Sequence, residues 1–492
     1  MVNIMKNKSI WTENIKINNN KIKKIDNFKT DILIIGAGIA GMSTAFHLKD
    51  INKNVTIIDA HNIGFGVTSK TTAKLTYLQD LFYQKIETNF DYDTSYLYYK
   101  SQKDAIKIVN DIVSKYNIDC DLEKVDSYLY TNAKTKIIKI KKEEQLLKDF
   151  AIKYEVINKL PINVPCIYGI KVSDTYTFHP LKYLYALKDI IKDKVDIYEN
   201  LRALDIKKDK DSYYVTTEKN VIEANIVIVC THYPFFIKPG FIPLKTYIER
   251  SYIITCKNNN NYKFSAITSE NPIHSFRTYK DNLIYLSLSH KLFNNINYEQ
   301  NYDNMIKQYK EYFNNEIDYL WMNQDIMTND SLPYIGVIDK NEPNLLIATG
   351  FNTWGMTNGT IAGKILSDII KKRNNKYIKL FNPLRHINIV NTIINFVDYF
   401  KIYTTTTLVK NHNFYPSNVS IIKENGNNYG VYVDEHNKKH IVNNKCPHMG
   451  CSLIFNNKEK TWDCPCHGSR FNIDGKIIEG PSKYSIEVKD ID

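Results

Sequence analysis

No run of about 18 uncharged apolar residues occurs anywhere in this 492-residue chain, so no membrane-crossing helix is expected. The opening MVNIMKNKSIWTENIKINNN has neither an apolar core segment nor a small-residue cleavage site. That excludes a secretory signal and leads to the expectation of a cytoplasmic protein. Glycine and proline are scarce, at 18 and 14 residues, and hydrophobic residues make up 43%, so the chain is neither fibrous nor disordered. The formal net charge is +12, yet the lysines are spread along the chain with no basic stripe and no binding motif. Nucleic acid is therefore not an expected partner. Lys, Asn, Ile and Tyr are abundant together, which reads as background compositional bias. There are eight cysteines, four of them close to the C-terminus. Cys120, Cys166, Cys230 and Cys256 are scattered and expected to be buried, inert thiols. The length allows two to four domains.

The most informative stretch begins at Cys446. It reads C-x-H at Cys446-Pro447-His448, then fifteen residues, then C-x-x-H at Cys464-Pro465-Cys466-His467. Two thiolates and two imidazoles are the ligand set of a Rieske [2Fe–2S] cluster, where one iron keeps two Cys and the other takes two His. Two Cys and two His also hold structural zinc, although zinc spacings seldom take the form C-x-H. CPHMGC and CPCHGSRF resemble the two ligand loops of the Rieske family. The resemblance implies that Cys446 and Cys464 bind one iron and His448 and His467 the other. It implies a loop-bridging disulfide between Cys451 and Cys466, against the general scarcity of disulfides in reducing compartments. Ser469 matches a serine that donates to a cluster sulfur, and Gly480-Pro481 a segment that shields the cluster. Phe471 stands where high-potential members often carry Tyr. With that hydrogen bond missing, the midpoint is expected below the quinol-oxidising members, within the range of roughly −150 to +300 mV. Short strands are expected from residue 413 onward, with Asn425-Gly426 as a hairpin signal.

Near the other end, Ile32-Leu33-Ile34-Ile35 reads as a strand buried on both faces. Gly36, Gly38 and Gly41 follow as G-x-G-x-x-G, and a helix pattern follows them. Strand, glycine turn and helix form a dinucleotide fingerprint, with the pyrophosphate on the helix N-terminus. A second strand, NVTIIDA, ends in Asp59, about 20 residues on, the distance at which an acid holds a ribose hydroxyl. The segment GFGVTSKTTAKLT (64–76) resembles its counterpart in FAD enzymes of the D-amino-acid oxidase/glycine oxidase class. Its TTAK element is similar to that of a subgroup carrying a C-terminal Rieske domain. The resemblance puts Thr72 among the cofactor-binding residues and Lys74 beside the flavin, where a cation stabilises the reduced ring; an ordinary solvated lysine is the alternative.

Helices and strands alternate from 91 to 225. Ala105, Ile108, Val109, Ile112 and Val113 recur at helical spacing, SYLYT reads as a strand, and Pro180 opens a helix behind His179, read as a loop residue. ANIVIVCTHYPFF (224–236) reads as a buried strand, which the resemblance returns to the nucleotide sheet. RSYIITC, IHSFRTY and NLIYLSLSHK suit an antiparallel sheet, which in this class caps the flavin. Arg277 is the candidate clamp for a substrate carboxylate, because its guanidinium offers a bidentate fork. Tyr252, His274 and His290 are candidates for polar contacts, or else satisfied sheet residues. In NLLIATGFNTWGMTNGTIAGKILSDII, Gly350, Gly355, Gly359 and Gly363 resemble the second FAD motif of the class, whose helix points its N-terminus at the flavin.

The expected architecture is therefore α/β: a Rossmann-like FAD-binding domain with an interleaved antiparallel substrate domain, then a small all-β Rieske domain. Residues 1–30 form a lead-in and 31–385 the flavoenzyme, with FAD-binding parts at 31–90, 221–244 and 331–373 and cap parts at 91–220 and 245–330. Residues 386–412 form an amphipathic linker helix, with Val390, Ile394 and Val397 on one face, and 413–492 the Rieske domain. No second G-x-G-x-x-G occurs, which argues against an NAD(P)H-fed reductase. A mononuclear iron triad of two His and a carboxylate, needed by a Rieske oxygenase, is not evident. The reading is an FAD-dependent dehydrogenase. It oxidises a small amine, amino acid or related acid and passes electrons through the [2Fe–2S] cluster to an acceptor at the His448/His467 edge. The alternative is an electron-transfer or redox-sensing protein fed by a partner.

Overall fold

The computed structural model describes residues 6–13, 15, 25–258, 262–292, 297–386 and 417–489, with isolated helical positions 394, 397, 400, 401, 403 and 404. The elements that position the site are, in order, β1 (Phe28–Ile35), α1 (Ile39–Leu48), β2 (Val55–Ile58), α2 (Phe82–Asn89), β3 (Val221–Val229), β4 (Thr246–Lys257), β5 (Asn282–Lys291), β6 (Ile317–Thr328), β7 (Leu345–Thr349) and α3 (Gly355–Ile370).

β1 is central in the nucleotide sheet, parallel to β2 on one side and to β3 on the other, and β7 continues the sheet beyond β3. Its apolar run is explained by that position. Ile32 and Ile34 join one hydrophobic core, and Leu33 and Ile35 join a second on the opposite face. Residues 196–217 correct the expected boundary. Asp196–Tyr198 pairs in parallel with β2, and the hairpin Ala203–Asp209/Ser212–Thr217 pairs antiparallel with β3. These residues extend the nucleotide sheet, because their backbone partners lie there and not in the cap.

The cap is a nine-stranded sheet with β6 at one edge, β4 beside it and β5 next. Alternation gives β4 two faces. Ile253 packs into the core shared with the nucleotide domain, while Tyr252, Ile254 and Cys256 pack under the helix Tyr298–Tyr312. The lead-in is tied down as well: Trp11 is fully buried and its Nε1 donates to Thr71 O at 2.6 Å.

The C-terminal domain has a three-stranded and a four-stranded antiparallel sheet. Asn425 and Gly426 both have positive φ, as a two-residue hairpin turn between right-twisted strands requires. Of the expected linker helix, Ile394, Val397 and Phe400 are helical and exposed, so they do not pack between domains. The rest of that stretch, Val390 included, lies outside the described residues. Among the described residues no helix is long and apolar enough to cross a membrane.

Candidate functional site: one cleft between two cofactor motifs

A cleft of about 1510 Å³, measured to its open mouth, runs along the ends of β1, β2, β3 and β6 and the start of α3. Gly36, Gly38 and Asp59 line one part of it, and Phe351, Thr353 and Gly355 another. Gly36 has φ +107°, and a Cβ on Gly41 would lie 1.8 Å from Gly36 O, so both positions need glycine. Neither α1 nor α3 has a side-chain N-cap, so first-turn N–H groups are left for a ligand; Ile39 N donates to Thr68 Oγ1 at 3.2 Å. Asp59 accepts from Ala37 N at 2.7 Å and His61 N at 2.8 Å, and burial pushes its carboxyl up to about 6. A glycine cradle, an open helix N-terminus and a half-buried acid fit the pyrophosphate and ribose of FAD. Gly350 has φ +72°. Gly359 and Gly363 serve packing: a Cβ on either would press into Ile39 or Ser43 of α1.

Cys446 and Cys464 are buried free thiols, and Cys451 and Cys466 form a disulfide. The His448 and His467 rings stand 4.9 Å apart between centroids. His448 Nδ1 is buried and has no protein partner. Ser469 Oγ accepts from Ser482 N at 2.9 Å, and hydrogen bonds from Cys464 and, to a lesser extent, Ser469 favour the Cys446 thiolate. Two thiols, two imidazoles and a hydroxyl on one sulfur fit a Rieske cluster.

The two motifs meet at this cleft. His467, Gly468 and the segment Ile478–Lys483 line the same wall as Gly36 and Gly355. His232 and Tyr233, just beyond β3, bridge the gap: the Tyr233 and His467 rings are 6.4 Å apart, and His232 Nε2 donates to Gln324 O at 2.9 Å. Burial holds His232 neutral, near 4. Gln324 Nε2 in turn donates to Gly468 O at 3.1 Å.

Three expected catalytic residues are corrected. Arg277 does not face the cleft. It is fully buried, its Nη1 donates to Thr72 O, Ala73 O and Phe178 O, and its plane lies against Trp11 and Tyr279. Through Nη1 the guanidinium clamps the chain's own loop, and its Nη2 is buried with no protein partner. Lys74 is buried and bonded to Ala266 O and Ser275 Oγ, and it does not line the cleft. Burial and Arg277 lower it to about 7. Tyr252 lies on the outer face of the cap sheet, bonded to Asn301 Nδ2 at 2.9 Å. Thr71 lines the cleft where Thr72 was expected. His274 is bonded to Tyr285 OH and His290 to Lys291 O, both away from the cleft, and His179 caps its helix by accepting from Lys182 N. His467 lines the cleft, and His448 stands one residue from Met449, which is exposed.

Sequence reasoning missed Arg202, Gln324 and Asp325, which line the cleft. The polar triplet Asn323-Gln324-Asp325 inside an otherwise apolar strand was the available signal.

The FAD dependent oxidoreductase family model matches residues 31–369, and the Rieske [2Fe-2S] domain model matches residues 405–489. The Bacillus subtilis (strain 168) protein YhfW, named as a Rieske 2Fe-2S iron-sulfur protein, is 33% identical over 476 residues, covering 94% of each chain. Gamma-glutamylputrescine oxidoreductase of Escherichia coli (strain K12) is 21% identical over 373 residues, 69% of this chain and 83% of that one. Among solved structures, glycine oxidase from Geobacillus kaustophilus superposes with a TM-score of 0.63 at 14% identity, over 73% of this chain and all of that one.

Proposed function

The chain belongs to the FAD-dependent oxidoreductase family and carries a C-terminal Rieske [2Fe–2S] domain, and from that premise we propose that it is a dehydrogenase for a small amine, amino acid or related acid. Bound FAD supplies two-electron acceptance from a substrate, and the cluster supplies one-electron transfer. The observation that carries the reading is the position of His467, which lines the same cleft as Gly36, Asp59 and Gly355. Gly36, Gly38 and Asp59 hold the dinucleotide end. Tyr233 packs edge-on against His467, and His232 and Gln324 tie the neighbouring Gly468 to the cap sheet. His448 would hold the cluster at an edge where Met449, 52% exposed, offers an apolar contact to an acceptor. Electron exit through a second centre on the same chain favours a dehydrogenase over an oxygen-consuming oxidase.

The test is anaerobic mixing of the holoenzyme with a panel of amines, amino acids and hydroxy acids, following flavin and cluster absorbance together. The expected result is flavin bleaching followed by cluster bleaching at a first-order rate independent of protein concentration. Flavin bleaching with a cluster that stays oxidised overturns the relay. No bleaching by any small compound overturns the assignment of a substrate.

A further inference from the structure

Resting on the reading of the cleft as a substrate-oxidising site, we infer that Asp325 and Glu249, at the edge of the cap sheet, form a subsite for a protonated amine. The substrate class is then an alkyl amine or diamine, held through its positive charge and not through a carboxylate.

Glu249 of β4 and Asp325 of β6 are register partners, and so are Ser251 and Asn323, the next pair on the same face. That face looks toward the nucleotide domain, since Ile253 and Trp321, the next pair again, belong to the core shared with it. Of these four residues Asp325 lines the cleft, and Glu249 is its partner across the strand pair. Two carboxylates directly opposite in a sheet repel each other, an arrangement that needs a compensating cation.

The second observation is independent of those charges. Asn323 is 4% exposed and Ser251 5% exposed. Asn323 Nδ2 donates to Asp325 Oδ2 at 2.9 Å, but Asn323 Oδ1 and Ser251 Oγ are buried with no hydrogen-bond partner. Two carboxylates, an amide oxygen and a hydroxyl oxygen on one face offer acceptors in excess of donors. An ammonium group, with three donors and no acceptor, is their complement.

The nearby cations act on Glu249 and not on Asp325. Lys291 is the register partner of Glu249 on β5, and Lys85 of α2 is bonded to Asp80 at 2.9 Å. Both act on Glu249. At Asp325 the charge that matters is that of Glu249, which adds to burial and pushes the carboxyl up to about 7. Of the guanidiniums in this region, Arg277 Nη1 is bonded to its own loop, Arg250 is paired with Asp463, and Arg202 is paired with Glu218 and acts on Asp59.

The experiment titrates the oxidised, full-length holoenzyme at pH 8 by calorimetry with butylamine, 1,4-diaminobutane and butanoate. The expected result is binding of both amines and not of butanoate, with Asp325→Asn weakening amine binding at least about tenfold while flavin and cluster absorbance are retained. Equal amine affinity in wild type and Asp325→Asn overturns the subsite, and so does no amine binding or a preference for butanoate. If Asp325→Asn loses its flavin, Glu249→Gln carries the same comparison. The parent reading fails separately. Amines that bind but never bleach the flavin, within a panel where nothing else does, leave the subsite standing without the dehydrogenase. Bleaching by amino acids with no amine binding sinks the subsite alone.

Discussion

Arg250 and Asp463 meet at 3.1 Å across the junction between the cap sheet and the cluster domain, and neither side chain reaches solvent. Asp463 also accepts from Arg470 Nε at 3.1 Å, and Arg470 reaches Glu459 and Glu479. Glu479 pairs with Lys70 of the nucleotide domain, and Glu459 accepts from Tyr302 OH and Met322 N. The two domains are thus joined by a buried net of ions whose members complete one another. Removing one charge from such a net leaves the others uncompensated, which costs about 3–5 kcal/mol. Asp463→Asn is expected to lower the unfolding free energy by that order in urea denaturation and to slow cluster bleaching after the flavin.

The cluster potential should follow its sulfur hydrogen bonds. Ser469 is fully buried with its hydroxyl on Cys446, and Phe471 is fully buried with no hydroxyl to give. Ser469→Ala is expected to lower the midpoint in a redox titration, and Phe471→Tyr to raise it. A wild-type midpoint near the top of the roughly −150 to +300 mV Rieske range would contradict this account.

Glu143 gives a pH signature. It is fully buried, accepts from Tyr83 N and Gln84 N at 3.0 Å each, and burial raises it from 4.5 to about 7. The folded state holds this proton more tightly than the unfolded state. Its contribution is therefore complete below pH 4.5 and is lost as the pH rises to about 7. The difference in urea stability between wild type and Glu143→Gln should shift in favour of the variant across that window. A difference that is flat in pH would refute the assignment.

The contact of α1 with α3 tolerates no side chain at Gly363, where a Cβ would stand 2.5 Å from the backbone of Ser43. Gly363→Ala is expected to destabilise by about 1–3 kcal/mol, seen as a lower melting temperature with less flavin per chain.

Much of this was legible in the residues because it is local. The glycines, Asp59 and the four candidate cluster ligands sit at fixed offsets within short segments, so spacing together with the resemblance of the loops points to them. The errors concern side chains whose partners are distant in sequence. Arg277 looked free in the sequence, but its Nη1 is bonded to the loop 72–73 and Phe178. Tyr252 and Asp325 lie in neighbouring strands, but one residue of alternation decides which side of the sheet each takes, and an isolated strand does not reveal its sidedness. The hairpin 203–217 was misplaced because pairing partners, not propensities, assign a strand to a sheet.

Ile478, Glu479 and Pro481, from the last strand and loop of the chain, wall the pocket opened by Gly36 near its beginning. The tail therefore closes one side of that pocket, and a chain cut before residue 417 is expected to give up its flavin on washing.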